Sequence, residues 1–275
     1  MLMTYVAAKI GSLYANIGRM SLSLIFFIGV ILIFRLPIEL SARQWLFLAF
    51  SALIGIVFGD TFLFKAFQQI GARLSMLIMA SAPAIAALLA YVFLRETLSA
   101  TGMLGILVTM TGIAFVVLER SDARSAASPV TLSGLMYAFF GALGQGGGVV
   151  CAKIAFSEGE INGFVAAFIR LGISTLCMLP ILFLHRQQPN PLPIFRKQKM
   201  VAAALLGSAF FGAFLGITLS LFAVKYAAAG VASILMATSP VLMLPMVKFA
   251  YHEQLSWKAI SGAMIAVGGV ALLFL

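Results

Sequence analysis

An all-α polytopic membrane protein is the fold class that the sequence predicts, with ten transmembrane helices in two inverted five-helix repeats and a truncated first helix. Three observations carry this expectation. The chain is 63% hydrophobic and 9% charged, with mean hydropathy +1.11, which is more apolar surface than a water-soluble core of 275 residues can hide. Apolar runs of about twenty residues, the length that crosses a bilayer, follow one another with short connections. A stretch near residue 80 also returns near residue 237. Met79-Ala80-Ser81-Ala82-Pro83 is matched by Met236-Ala237-Thr238-Ser239-Pro240. Each is followed, at the same distance, by a glutamate-bearing turn: Arg95-Glu96-Thr97-Leu98-Ser99 in one copy and His252-Glu253-Gln254-Leu255-Ser256 in the other.

Taken in order, span 2 is predicted over 20–34, span 3 over 45–66, span 4 over 74–94 and span 5 over 100–118. Spans 6 to 10 follow at 132–154, 163–184, 201–225, 230–250 and 257–275. Two connections are longer. Residues 119–130 contain Ser, Ala and Pro and read as the linker between halves; residues 185–199 are basic and proline-rich and read as an exposed loop. The organisation is therefore a first repeat over 1–118, a linker over 119–130 and a second repeat over 131–275. The apolar residues 1–15 are too short to cross a bilayer. They lack the basic start of a signal peptide. Ala8-Lys9-Ile10 matches Ala152-Lys153-Ile154, which lies near the end of span 6, so the chain is expected to begin inside its first helix.

The repeat itself aligns 59–118 with 216–275 without a gap, and about a quarter of the columns are identical. Gly59/Gly216, Thr61/Thr218, Glu96/Glu253, Gly105/Gly262 and Gly112/Gly269 all pair. Arg19-Met20-Ser21-Leu22-Ser23 likewise matches Arg170-Leu171-Gly172-Ile173-Ser174. Five spans per half is an odd number, so the second copy must insert upside down, related to the first by a pseudo-two-fold axis in the membrane plane.

The prolines are the most informative members of the repeat. Pro83 and Pro240 cannot donate to the carbonyls of Met79 and Met236, four residues earlier. In lipid a freed carbonyl is tolerated only where protein or water satisfies it. Helices interrupted at matching places in two halves point to a binding site; the competing reading is a pair of kinked packing helices. On the first reading Met79, Ser81, Met236 and Thr238 line a central cavity.

Ionisable residues are scarce inside the spans. Asp60 lies within span 3, and an ionisable group at membrane depth is a candidate for ion or proton coupling. The alternative is a structural bond between helices. Lys65 is a further candidate, but five residues place it about 140° round the helix from Asp60, so a cationic partner must come from elsewhere. Lys153 and its mate Lys9 could attract a substrate's negative charge, or could reach the interface as long side chains do. Arg19 and Arg170 open spans 2 and 7 and read as interfacial anchors. Glu96 and Glu253 read as hydrogen-bond acceptors at the start of the next helix. In Gly144-Gln145-Gly146-Gly147-Gly148 the glycines suit close helix approach, and Gln145 could face a cavity.

Several function classes fall away. The formal charge of +10 is spread singly along helix flanks, which suits topology and lipid headgroups, so no nucleic-acid partner is expected. Cys151 and Cys177 lie in apolar runs and read as packing residues. No hydrolase motif or metal-binding spacing is present, so neither catalysis nor a cofactor nor a metal is expected.

The Ser-Ala-Pro and Thr-Ser-Pro segments, each followed by its Glu-Leu-Ser-type turn and a glycine-rich helix, resemble the EamA repeats of the drug/metabolite transporter superfamily. The resemblance covers nearly the whole chain. It implies ten helices around a central cavity, export or exchange of a small polar metabolite such as an amino acid without ATP hydrolysis, and a bacterial inner-membrane location. The partners implied are a small-molecule substrate and the bilayer; the oligomeric state stays open, a monomer being compatible with the reading. It also implies cytoplasmic termini, whereas the basic residues after spans 3, 5, 7 and 9 favour the cytoplasm for those loops. Two other readings stay open: a flippase for a lipid-linked sugar or similar lipid, and a structural membrane protein that transports nothing.

Overall fold

The computed structural model of the chain describes residues 5–6, 9–97, 99–119, 131–184, 198–238, 241 and 257–272, with side chains at all of these except 12–13, 71–73, 116–119, 181–184 and 259. Among the described residues every regular element is helical. The helices are α1 (Ser12–Ile33), α2 (Ala42–Ser51), α3 (Gly59–Met79), α4 (Ala82–Leu94), α5 (Ala100–Glu119) and α6 (Leu132–Ser157). They continue as α7 (Gly163–Leu184), α8 (Lys199–Gly207), α9 (Gly216–Tyr226), α10 (Ala229–Ala237) and α11 (Trp257–Leu272). Two π-helical stretches, Ala52–Phe58 and Ser208–Leu215, join α2 to α3 and α8 to α9.

Among the described residues, six stretches are long and apolar enough to cross a membrane: Tyr14–Ile33, Ala42–Ile70, Leu74–Leu94, Leu132–Ser157, Gly163–Pro180 and Lys199–Tyr226. Ala100–Phe115 and Ile260–Leu272 are shorter apolar helices. These correspond to predicted spans 2 to 8 and 10. Most of the second half of span 9, including Pro240, lies outside the described residues, as does Glu253.

The chain forms two compact units, and each draws on both halves of the sequence. One comprises Met1–Leu53 and Ala155–Lys225; the other comprises Ile54–Ile154 and Tyr226–Leu275.

In the first unit α1 packs on α7, on α8 and on the second π stretch, and α2 packs on α7. Span 2 begins earlier than the sequence predicts. Gly11 takes φ 85°, a conformation glycine adopts without strain, and α1 runs from Ser12 rather than from about residue 20. Asn16 and Arg19, one turn apart, are joined by a hydrogen bond: the Arg19 guanidinium donates to Asn16 Oδ1 at 2.9 Å. The start of α2 is a capping box, with Ser41 Oγ accepting from Gln44 N–H and the Gln44 carboxamide accepting from Ser41 N–H.

The two π stretches occupy the same place in the repeat, since the alignment of 59 with 216 carries 52–58 onto 209–215. Both receive a serine hydroxyl in their first turn. Ser23 Oγ lies 2.9 Å from Ala209 O, and Ser174 Oγ lies 3.5 Å from Ala52 O. Ser23 and Ser174 are themselves repeat mates, and each shares its one proton with the carbonyl four residues back, Arg19 O or Arg170 O.

In the second unit α5 crosses α11, α10 packs on α4 and α5, and α3 packs on α5. A Cβ on Gly144 would lie 2.7 Å from Gly59 Cα, and one on Gly146 would lie 3.1 Å from both Ala82 O and Ala86 N. Gly59 and Ala82 therefore sit against the same turn of α6. A straight helix over that separation would hold them about 35 Å apart. The chain thus bends back on itself between Gly59 and Ala82.

Candidate functional site

The predicted break in span 4 is present, but its form differs from the expectation. Helix α3 ends at Met79, residues Ala80 and Ser81 form a turn, and α4 begins at Ala82 with Pro83 in its first turn. A proline there lacks only an N–H that the helix would leave unbonded in any case. Pro83 starts a helix rather than kinking one. Ser81 Oγ donates to Ile78 O at 2.7 Å. In the other half, α10 ends at Ala237 and Thr238 Oγ1 donates to Leu235 O at 2.6 Å. Ser81 matches Thr238 and Ile78 matches Leu235 in the repeat, so the two helix ends carry the same local bond.

A cavity of about 200 Å³ opens beside these helix ends, within the second unit. Its wall consists of Met76, Met79, Ala80, Ala82, Pro83, Ile113, Gln145, Ser233, Met236 and Ala237. Three repeat pairs face one another in it: Met76 with Ser233, Met79 with Met236, and Ala80 with Ala237. Gln145 enters from α6 between glycines that let that helix approach α3 and α4 closely. Sequence reasoning found Met79, Met236, Pro83 and Gln145. It missed Met76 and Ser233, although each precedes a singled-out methionine by three residues and so shares its helix face.

The other candidates lie elsewhere. Ser81 and Thr238 are beside the break but not in the cavity wall. Lys153 donates to Ala227 O at 2.7 Å and so ties α6 to the turn before α10. Lys65 is exposed, its Nζ 5.5 Å from the Phe62 ring centre and 5.7 Å from that of Tyr137. Asp60 stands half-buried in the first turn of α3, directly after the π stretch, and is already engaged. None of these three charges reaches the wall of the cavity.

Two other expectations are corrected. Arg170 is 7% exposed and two turns into α7, so it is buried inside a span rather than anchored at the interface. Arg19 occupies the same position in α1. Glu96 does accept a hydrogen bond at a helix start, but that helix is α10 and not the next one in sequence. Its Oε2 takes the N–H of Ala229 at 2.8 Å, so the turn after one proline-bearing span caps the repeat mate of that span.

The crossing of α5 and α11 is the other notable feature of this unit. A Cβ on Gly112 would lie 2.6 Å from Gly262 O and 2.7 Å from Ala266 Cα. One on Gly269 would lie 2.9 Å from Gly105 O and closer still to Thr109. Gly105 is the mate of Gly262, Thr109 of Ala266, and Gly112 of Gly269. Each contact is thus matched by its own exchange, the signature of a two-fold relation. Residue numbers rise along one helix as they fall along the other, so these equivalent helices run antiparallel.

The family model described as the EamA-like transporter family matches residues 1–118 and 132–275. No curated protein is significantly similar in sequence. Solved structures do match. One of them, described only as "Crystal structure of protein", superposes with a TM-score of 0.76 over 99% of this chain and 91% of its own, at 15% identity. That likeness concerns the fold. Membership of this family implies transport rather than catalysis. With its apolar spans and a match over nearly its whole length, the chain belongs to the EamA-like transporter family of the drug/metabolite transporter superfamily, a multi-pass integral membrane protein.

Proposed function

We propose that the chain is a secondary transporter, an exporter or exchanger, that carries a small metabolite across the bacterial inner membrane by alternating access. The cavity between α4 and α10 is its substrate site. The observation that carries this reading is the meeting of Met79 with Met236 and of Ala80 with Ala237 around one hollow. A hollow at interrupted helices of two repeats is where carriers hold their cargo. The reading takes the chain as ten spans in two inverted repeats, 1–118 and 131–275, joined by 119–130. Its support is the antiparallel, self-exchanging contact of α5 with α11.

The test compares cells that overproduce the chain with cells that overproduce Met236→Trp, which fills the hollow. With equal amounts of protein in the membrane, at least one small metabolite accumulates several-fold in the medium of the first cells and returns to background in the second. Identical metabolite profiles for the two chains would sink the proposal that this cavity is the route.

A further inference from the structure

The wall of the cavity contains no ionised side chain among the described residues. The charges that could have supplied one are committed elsewhere: Lys153 to Ala227 O, Lys65 to two aromatic rings, and Asp60 to a partner of its own. What the wall offers instead is three thioethers, an aliphatic remainder and two neutral polar groups. Ser233 is only 3% exposed, and its hydroxyl is hydrogen-bonded to no other described residue. The carboxamide of Gln145 is likewise unbonded among the described residues and faces the same space. Both groups border the hollow, where a ligand can serve as their hydrogen-bond partner in place of water.

We infer that the solute inserts an uncharged group here: a mostly apolar body bearing one neutral hydrogen-bonding function of the amide or alcohol class. Gln145 and Ser233 both donate and accept, so they suit a function that does the same. Met76, Met79 and Met236 are flexible and polarizable and adapt to an apolar or aromatic body. Size follows from volume. A cavity of about 150 Å³ holds benzene, so this one admits an inserted group of about eight non-hydrogen atoms. An ion of either sign would lose its hydration without gaining a counter-charge from the described residues of the wall, which costs several kcal/mol. A zwitterion fits only with its ionised ends outside this wall. The inference rests on the cavity being the transport site, and it narrows the substrate class of that site.

Three near-isosteric probes separate charge from shape: benzamide, benzoate and benzamidinium. The reporter is Ser233→Cys in a chain also carrying Cys151→Ala and Cys177→Ala, converted in detergent to its methyl disulfide by methyl methanethiosulfonate with release of methanesulfinate. Benzamide at millimolar concentration slows this modification at least tenfold, while the two ions at the same concentration leave the rate within twofold. Gln145→Leu in the same chain removes the protection. The inference is overturned if either ion protects as well as benzamide, if none of the three protects, or if protection survives Gln145→Leu. This outcome is separable from that of the transport experiment. Should Met236→Trp abolish transport while benzoate protects Ser233→Cys best, the transporter reading stands and the neutral-solute inference alone falls.

Discussion

Two seams in the second unit join the same two halves of the sequence and end differently. At the α5–α11 seam, glycines meet backbone, and no room is left for a single added methyl on Gly112 or Gly269. At the seam between the end of α3 and the end of α10, the helices stop in turns, Pro83 begins a new helix, and methionines border a hollow. Both seams set repeat mates against each other. What separates them is side-chain volume at the contact: glycine permits backbone approach, whereas two helix ends with long flexible side chains cannot close on each other. One duplicated segment thus yields a tight joint and a cavity from equivalent chain positions.

The largest expected effect breaks the tight seam. Gly112→Leu places a side chain where Gly262 O and Ala266 Cα already stand, and only helix separation can relieve it. Overpacking of this kind costs about 1–3 kcal/mol or more, and most of the protein should fail to elute as a folded monodisperse species from a size-exclusion column. Met79→Leu at the hollow conserves volume and should cost less than about 1.5 kcal/mol, with a near-normal melting curve. Comparable losses from the two substitutions would show that the seams do not differ in the way their geometry implies.

How much of this was legible beforehand depends on whether a residue type has one physical use or several. The paired glycines Gly105/Gly262 and Gly112/Gly269 were legible only as matched columns of the repeat, because a glycine does not say which helix approaches it; their contacts supply that. Spans 5 to 7 were placed within a few residues, since their apolar runs end in unmistakably polar loops. Pro83 was ambiguous: the same residue can kink a helix or begin one, and only the turn at Ala80 and Ser81 decides. The start of α1 was misplaced because Arg19 reads as an interfacial anchor until its hydrogen bond to Asn16 is seen. Long cationic side chains were the least legible. Lys153 could reach a substrate or a carbonyl, and nothing in its sequence neighbourhood selects Ala227 O.

Lys153 provides the next test, because it bears on whether the hollow needs a charge. As a tether to Ala227 O it holds the turn leading into α10, and a hydrogen bond from a charged group contributes about 1.5–3 kcal/mol. Lys153→Met should therefore lower the melting temperature measurably while leaving the substrate concentration for half-maximal transport unchanged. A variant with normal melting and a KM raised tenfold or more would return Lys153 to the cavity as a substrate ligand.

A smaller effect is expected where the repeat places serine hydroxyls on the π stretches. Ser23→Ala and Ser174→Ala each remove a bond of the kind that contributes about 0.6 kcal/mol on average between membrane helices. Ser23 should cost more, because its contact to Ala209 O is 2.9 Å and that of Ser174 to Ala52 O is 3.5 Å. The two sites share no partner, so the double variant should lose the sum of the single losses. Thermal melting of the three variants in one detergent measures this. A double variant no less stable than Ser23→Ala alone would mean that the Ser174 contact contributes nothing to the first unit.

The smallest expected change lies at the open seam. Ser81 and Thr238 each bond the carbonyl three residues back at a helix end. Both are local bonds within one turn, and both side chains are half-buried. Replacing either by alanine leaves that carbonyl beside a hollow large enough for water, which can take over the bond. Each substitution should therefore cost no more than about 0.5 kcal/mol, and the two costs should be equal within error, as befits repeat mates in the same local geometry. Unequal costs would be the more instructive result. They would locate the asymmetry of the cavity in its helix ends, whereas the wall places it in Ser233, where the other half has Met76, and in Gln145, which α6 alone supplies.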